Sequence, residues 1–115
     1  MQRDPKAYLW DIASAAASIR TFVAGKTLED YENDELLRSA VERKFSIIGE
    51  ALSRLLRLAP KFRARISLPG QIVSFRNQIV HGYESIEDDM VWQIAQEYLP
   101  QLQAEVEALL NSKVN

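Results

Sequence analysis

The chain has 115 residues, 47% of them hydrophobic, and a formal net charge of −2, the size and balance of one soluble globular domain spanning residues 1–115. With no cysteine and a single histidine it lacks disulfides, zinc–thiolate sites and thiol nucleophiles, so any catalysis is expected to use oxygen, imidazole and guanidinium groups without a metal or cofactor. No apolar run approaches the roughly 20 residues of a membrane span, and Arg3, Asp4 and Lys6 ahead of a short alanine-rich stretch do not have the layout of a signal peptide, which predicts a cytoplasmic chain with no membrane attachment.

Asp4 followed by Pro5 reads as an N-cap and first-turn pair. Tyr8, Leu9, Ile12, Ala16, Ile19 and Val23 then recur at helical spacing as far as about Ala24, with Gly25 as the stop. Thr27 and Asp30 have capping-box spacing and predict a single helical turn from Leu28 to Glu32, after which Asn33 or Asp34 caps a long second helix. Its apolar residues form two adjacent columns, Leu36, Ala40, Ile47, Ala51 and Leu37, Val41, Ile48, Leu52, Leu55, Ala59. That arc is wider than one neighbour requires, so this helix is either central in a bundle or faces a second chain.

Pro60 ends the second helix, and Lys61 to Leu68 reads as a basic connector. Pro69 and Gly70 open a shorter third helix with Ile72, Phe75 and Ile79 as its buried stripe and Gly82 as its stop. Ser85 with Asp88, and the acids Glu87 and Asp89, mark a fourth start, followed by Met90, Val91, Ile94, Tyr98, Leu102, Val106 and Leu109 at helical spacing. Pro100 is expected to kink this helix without ending it. The predicted fold is all-α, an antiparallel four-helix bundle with a short extra helical turn and a kinked last helix.

Charge is segregated along the chain. From Ala51 to Tyr83 there is no acid, whereas Arg54, Arg57, Lys61, Arg63, Arg65 and Arg76 all fall there. Such a stretch suits a phosphate-bearing ligand such as RNA, and reads equally as a solvated helix face and loop. Within it, Arg76, Asn77, His81 and Tyr83 stand close together. Arginine's planar fork matches phosphoryl oxygens, and histidine transfers protons in either direction near neutral pH. On an ideal helix Arg76 and His81 are separated by roughly 140°, while Asn77 and His81 stack one turn apart. A distorted last turn, or a second copy of the chain, is needed to bring the arginine and histidine together. A two-fold homodimer also supplies two histidines where general acid and base are both wanted. Taken alone, the histidine reads as a helix cap, and Tyr83 as a ring covering the bundle end.

Trp10 and Trp92, with apolar neighbours at helical spacing, are expected in the core. The acids Glu84, Glu87, Asp88 and Asp89 read as helix-start electrostatics rather than a metal site. Glu50, inside an apolar stretch, needs a partner, and an arginine of the same or another chain is the expected one.

The set Arg76, Asn77, His81 and Tyr83 resembles the signature of the HepT family of bacterial toxins, within the wider HEPN group of helical domains: Arg, four to six residues, His, one residue, Tyr. IIGEA from Ile47 to Ala51, YLWDI from Tyr8 to Ile12, Val91 with Trp92, and LPQL from Leu99 to Leu102 extend the likeness over nearly the whole chain. Gly70 after Pro69 departs from it, since an aromatic residue is common there. The resemblance implies a metal-independent ribonuclease, with transfer RNA as a family-level substrate, acting as a homodimer whose Arg76 and His81 line a shared cleft. It also implies that Asn77 orients the phosphate or the histidine. The implied partner is an MNT-type nucleotidyltransferase antitoxin that attaches AMP to Tyr83. A different class of function also fits, a non-catalytic helical module that binds a nucleotide or escorts a nucleotidyltransferase, and so does a purely structural dimer.

Overall fold

The computed structural model describes residues 3–67, 71–73, 75–77 and 87–112. Helix α1 spans Pro5–Val23, with Asp4 accepting from the Lys6 N–H at 2.8 Å and Pro5 in the first turn. Gly25 follows with φ 74°, the left-handed conformation that lets the chain turn away. Helix α2, Leu28–Glu32, carries the expected capping box between Thr27 and Asp30, and Asp34 caps the 24-residue α3, Glu35–Leu58, through the Leu37 N–H.

The stretch read as a plain basic connector departs from expectation, because Pro60–Arg65 winds into a 3-10 helix. A proline already set at helical φ starts the turn, and the buried Phe62 pins it to the core. Residues 71–73 and 75–77 are helical, where the third helix was expected. Its proposed start at Pro69 and Gly70, the stripe residue Ile79 and the stop at Gly82 lie outside the described residues, as does the Ser85 cap.

The last helical run begins at Asp88. Helix α4, Asp88–Gln93, leads through a π-helical turn, Ile94–Tyr98, into α5, Leu99–Asn111. The expected kink at Pro100 takes the form of this widened turn, in which the Leu99 N–H reaches back to the Ile94 carbonyl. Pro100 has no N–H and its ring crowds the carbonyl four residues earlier, so one extra residue per turn relieves the clash. The buried stripe therefore runs Val91, Ala95, Leu99, Leu102, Val106 and Leu109, and Met90 is left 44% exposed.

These elements make an all-helical bundle. Tyr8 near the start of α1 lies beside Ala51 and Arg54 in the second half of α3. Arg20 near the end of α1 donates to Gln103 of α5 at 2.8 Å. Helix α1 thus runs antiparallel to both neighbours. Leu9, Ile12, Ile19, Val41, Phe45, Ile48, Leu52, Leu99 and Leu102 are fully buried between them, and Phe75 meets Phe45 edge-on at 5.2 Å, seating the 71–77 segment on α3.

The tryptophans divide. Trp92 packs against Tyr31 at 5.7 Å, but Trp10 is 62% exposed, contrary to expectation. Tyr8, Leu9 and Trp10 are consecutive, so at about 100° per residue they cannot all face one core, and Tyr8 and Leu9 take the inner positions. In α3 the second apolar column is buried, whereas Leu36 at the head of the first is 80% exposed and Ala40 and Ile47 are half-buried.

A polar tie secures the approach to the 71–77 segment. Ser67 donates to the Glu105 carboxylate through its N–H at 3.0 Å and its hydroxyl at 2.6 Å, while the Tyr98 hydroxyl, on the π-helical turn, donates to the Ser67 carbonyl. Tyr98→Phe is expected to lower unfolding stability by about 1 kcal/mol, the usual net worth of such a bond, as read from the urea midpoint.

Glu42 of α3 stands near Asp88, and burial together with that like charge pushes its carboxyl above the usual range, against the pull of Arg38. A raised carboxyl pKa means that the folded chain holds a proton which the unfolded chain has already released. Glu42 therefore costs stability as pH rises from the ordinary carboxylate range through its folded pKa. Glu42→Gln is expected to raise the melting temperature at neutral pH and to lose that advantage in acid.

A candidate phosphate-binding cleft at Arg76

Where the 71–77 segment crosses α3, the contact residue is Gly49. A Cβ built on Gly49 would stand 2.2 Å from the Arg76 Cβ and 2.5 Å from its Cγ, so only glycine lets the two backbones approach this closely. The arginine stem lies over that bare turn, with its side chain 24% exposed. Its terminal Nη2 donates to Glu50 Oε2 at 2.7 Å and Nη1 to Asn77 Oδ1 at 2.9 Å, while Nε is buried without a partner among the described residues.

Glu50 has a second cation. Arg54, one turn further along α3, donates from Nε to Glu50 Oε1 at 2.7 Å. The hydrogen bond from Arg54, followed by the charge of Arg76, holds the Glu50 carboxyl below the usual carboxylate range. Glu50, which needs a cationic partner, thus has two arginines, both from its own chain.

These groups edge an open cleft of about 530 Å³ between α1 and α3, lined by Arg3, Tyr8, Asp11, Arg43, Ser46, Ile47, Glu50, Ala51, Arg54 and Arg76. Four guanidinium groups face two carboxylates there. Arg3 pairs with Asp11 at 2.7 Å and lies over the Tyr8 ring at 4.7 Å, whereas Arg43 makes no ion pair among the described residues. The surplus positive charge, with guanidinium donors in an open polar trough, suits a phosphate-bearing ligand.

Of the residues singled out in the sequence, the structure brings Arg76, Asn77 and Arg54 together. Arg57, Lys61, Arg63 and Arg65 do not line the cleft; Arg57 and the three cations of the 3-10 helix are exposed, and Lys61 sits over the Phe62 ring at 5.4 Å. His81 and Tyr83 lie outside the described residues. Arg3 and Arg43 were not anticipated. For Arg43 a signal existed: with Ile47, Glu50 and Arg54 it falls at helical spacing on one face of α3, but it precedes the acid-free stretch. Among the described residues no helix is long and apolar enough to cross a membrane, and no three His, Asp or Glu side chains converge as metal ligands do.

Comparison with known proteins places this architecture. The family model described as Ribonuclease HepT-like matches residues 12–109. A protein of Methanocaldococcus jannaschii whose name marks it as a candidate RNase is 34% identical over 108 residues, covering 92% of this chain and 96% of that one. The Probable ribonuclease HepT of Thermococcus cleftensis is 31% identical over 113 residues, covering 95% and 98%. A further candidate RNase from Caldanaerobacter subterraneus subsp. tengcongensis is 29% identical over 114 residues, covering 96% and 98%. No solved structure matches the chain significantly. A family match across most of the bundle, together with two relatives above 30% identity over nearly their full length, means that this chain belongs to the Ribonuclease HepT-like family.

Proposed function

We propose that the chain is a metal-independent endoribonuclease, the toxin of a toxin–antitoxin pair, which cleaves RNA, with transfer RNA a candidate substrate, through Arg76 and His81. The observation that carries this reading is the Arg76 guanidinium, seated on Gly49 and held by Glu50 and Asn77 at the edge of a net-positive cleft. Relatives named for ribonuclease activity support it.

In the proposed reaction the ribose 2′-oxygen bonds to phosphorus and the P–O5′ bond breaks, leaving a 2′,3′-cyclic phosphate and a 5′-hydroxyl. One proton leaves the 2′-hydroxyl and one is delivered to O5′. Arg76 binds the non-bridging oxygens as charge builds on them, and His81 transfers the proton. Asn77, already bonded to Arg76, orients the phosphoryl group. A homodimer supplies a second histidine, and the exposed Leu36 and half-exposed Ala40 and Ile47 of α3 offer apolar surface for a second copy. The antitoxin is an MNT-type nucleotidyltransferase, which silences the site when the Tyr83 hydroxyl attacks the α-phosphate of ATP and pyrophosphate leaves. The resulting anionic adduct blocks RNA and competes for arginine.

The test is RNA cleavage by purified chain in the presence of chelator. Wild type is expected to cleave and His81→Ala to lose at least about 100-fold, as removal of a proton-transfer group does; clean wild type without activity sinks the reading. For the modification, nucleotidyltransferase and ATP should add AMP mass to wild type and none to Tyr83→Phe. Equal labelling of both moves the acceptor elsewhere.

A further inference from the structure

Glu50 touches two arginines, and both belong to the cleft. Its two carboxylate oxygens are divided between them, Oε1 on Arg54 and Oε2 on Arg76, each at 2.7 Å. Two guanidinium groups sharing one carboxylate are only a few ångströms apart, and without the intervening charge they would repel each other. Arg54 anchors the carboxylate within its own helix, one turn on, so Glu50 is not a free arm that swings onto Arg76. On Arg76 the two terminal nitrogens each spend one hydrogen, on Glu50 and on Asn77, and each keeps a second for a ligand.

We infer that Glu50 is a positioning residue: it fixes the Arg76 and Arg54 guanidiniums side by side, so that together they grip the phosphodiester of an RNA strand. The inference rests on the ribonuclease reading for its consequence in catalysis, but the grip itself exists whether or not the strand is cut. Three further observations support it. Gly49, the residue before Glu50, sets the depth at which Arg76 crosses α3. The Nε of Arg76 is buried without a partner among the described residues, which leaves the Nη edge as the face open to a ligand. Arg43 lines the same cleft with no carboxylate partner among the described residues, ready for a neighbouring phosphate.

A carboxylate at a phosphate site has two opposite possible effects, and the sign of one measurement separates them. If Glu50 merely occupies the arginine until RNA displaces it, removing its charge tightens phosphate binding. If it positions the pair, removing it loosens the grip despite the gain in positive charge. The experiment uses full-length wild type, Glu50→Gln, Glu50→Ala and Glu50→Asp, each checked for wild-type far-UV circular dichroism. Glu50 is 40% exposed, and only variants that keep the wild-type spectrum and a urea midpoint close to wild type are compared.

Binding is measured on an RNA oligonucleotide with 2′-deoxy substitutions, which cannot be cut through 2′-oxygen attack. Glu50→Gln and Glu50→Ala are expected to bind it about 3- to 10-fold more weakly at fixed salt, as loss of one charge-assisted contact entails. On cleavable RNA the same variants should lose about 10- to 100-fold in kcat, the range seen when a supporting partner is removed. Their KM should change less, and Glu50→Asp, which keeps the charge on a shorter arm, should recover part of kcat. Equal or tighter binding of the blocked oligonucleotide, or wild-type kcat in Glu50→Gln, overturns the inference and leaves the ribonuclease reading standing. Wild type that binds the oligonucleotide but never cleaves RNA sinks the ribonuclease reading instead, and the binding arm then decides the role of Glu50 alone.

Discussion

Gly49→Ala is expected to damage both stability and RNA cleavage, although alanine is the better helix former. The intrinsic gain of about 1 kcal/mol for alanine over glycine inside a helix applies here as anywhere. Against it stands a methyl group 2.2 Å from the Arg76 Cβ, with the arginine Cγ at 2.5 Å. Forcing atoms apart in a packed contact costs about 1–3 kcal/mol, so the urea midpoint is expected to be unchanged at best and more commonly lower. The catalytic effect is larger. Pushing the 71–77 segment off α3 by even an ångström pulls Arg76 from Glu50, and a misplacement of that size costs about 100-fold in rate. Steady-state cleavage and urea unfolding on the same preparation separate the two effects: a large fall in kcat with a small shift in midpoint is the expected pair.

Arg76→Ala is expected to lower cleavage by about 100- to 1,000-fold, the penalty for removing one preorganised donor from a developing phosphoryl charge. Arg76→Lys keeps the charge but loses the planar fork that reaches Glu50 and Asn77 at once, so it should stay well below wild type. The acid limb of stability also changes. Glu50 is held below the ordinary carboxylate range by Arg54 first and Arg76 second. A depressed carboxyl contributes stability above its unfolded pKa, and that contribution is lost as pH falls through the folded one. Removing Arg76 weakens the depression, so the variant should lose less stability than wild type on acidification below the carboxylate range.

Much of the fold was legible because local chemistry and burial agree. Asp4 with Pro5, the Thr27–Asp30 box and Asp34 begin helices where side-chain oxygens meet otherwise unpaired N–H groups, and Gly25 ends one by adopting positive φ. What misled was non-local. Trp10 looks like a core residue beside Tyr8 and Leu9, yet which of three consecutive apolar residues turns outward depends on where α3 and α5 lie. The π-helical turn before Pro100 was foreseen only as a kink, since spacing alone does not reveal where the extra residue is absorbed.

The candidate site was legible in part. Arg76 and Asn77 stood out as a motif, and Glu50 as an acid needing a cation, but the depth of the Gly49 contact becomes visible only once a second helical segment crosses it. Arg43 and Arg3 lie outside the acid-free stretch and reach the cleft from α3 and from the chain just before α1, so the segregation of charge along the sequence does not point to them.

The central claim is that Arg76 grips the phosphate in a cleavage that needs no metal ion. Its most direct test is to incubate one RNA with wild type and with Arg76→Ala in excess chelator and to identify the ends produced. The account predicts 2′,3′-cyclic phosphate and 5′-hydroxyl ends from wild type, formed about 100- to 1,000-fold more slowly by the variant. Equal rates from both proteins, or cleavage by wild type that stops when chelator is added, would contradict it.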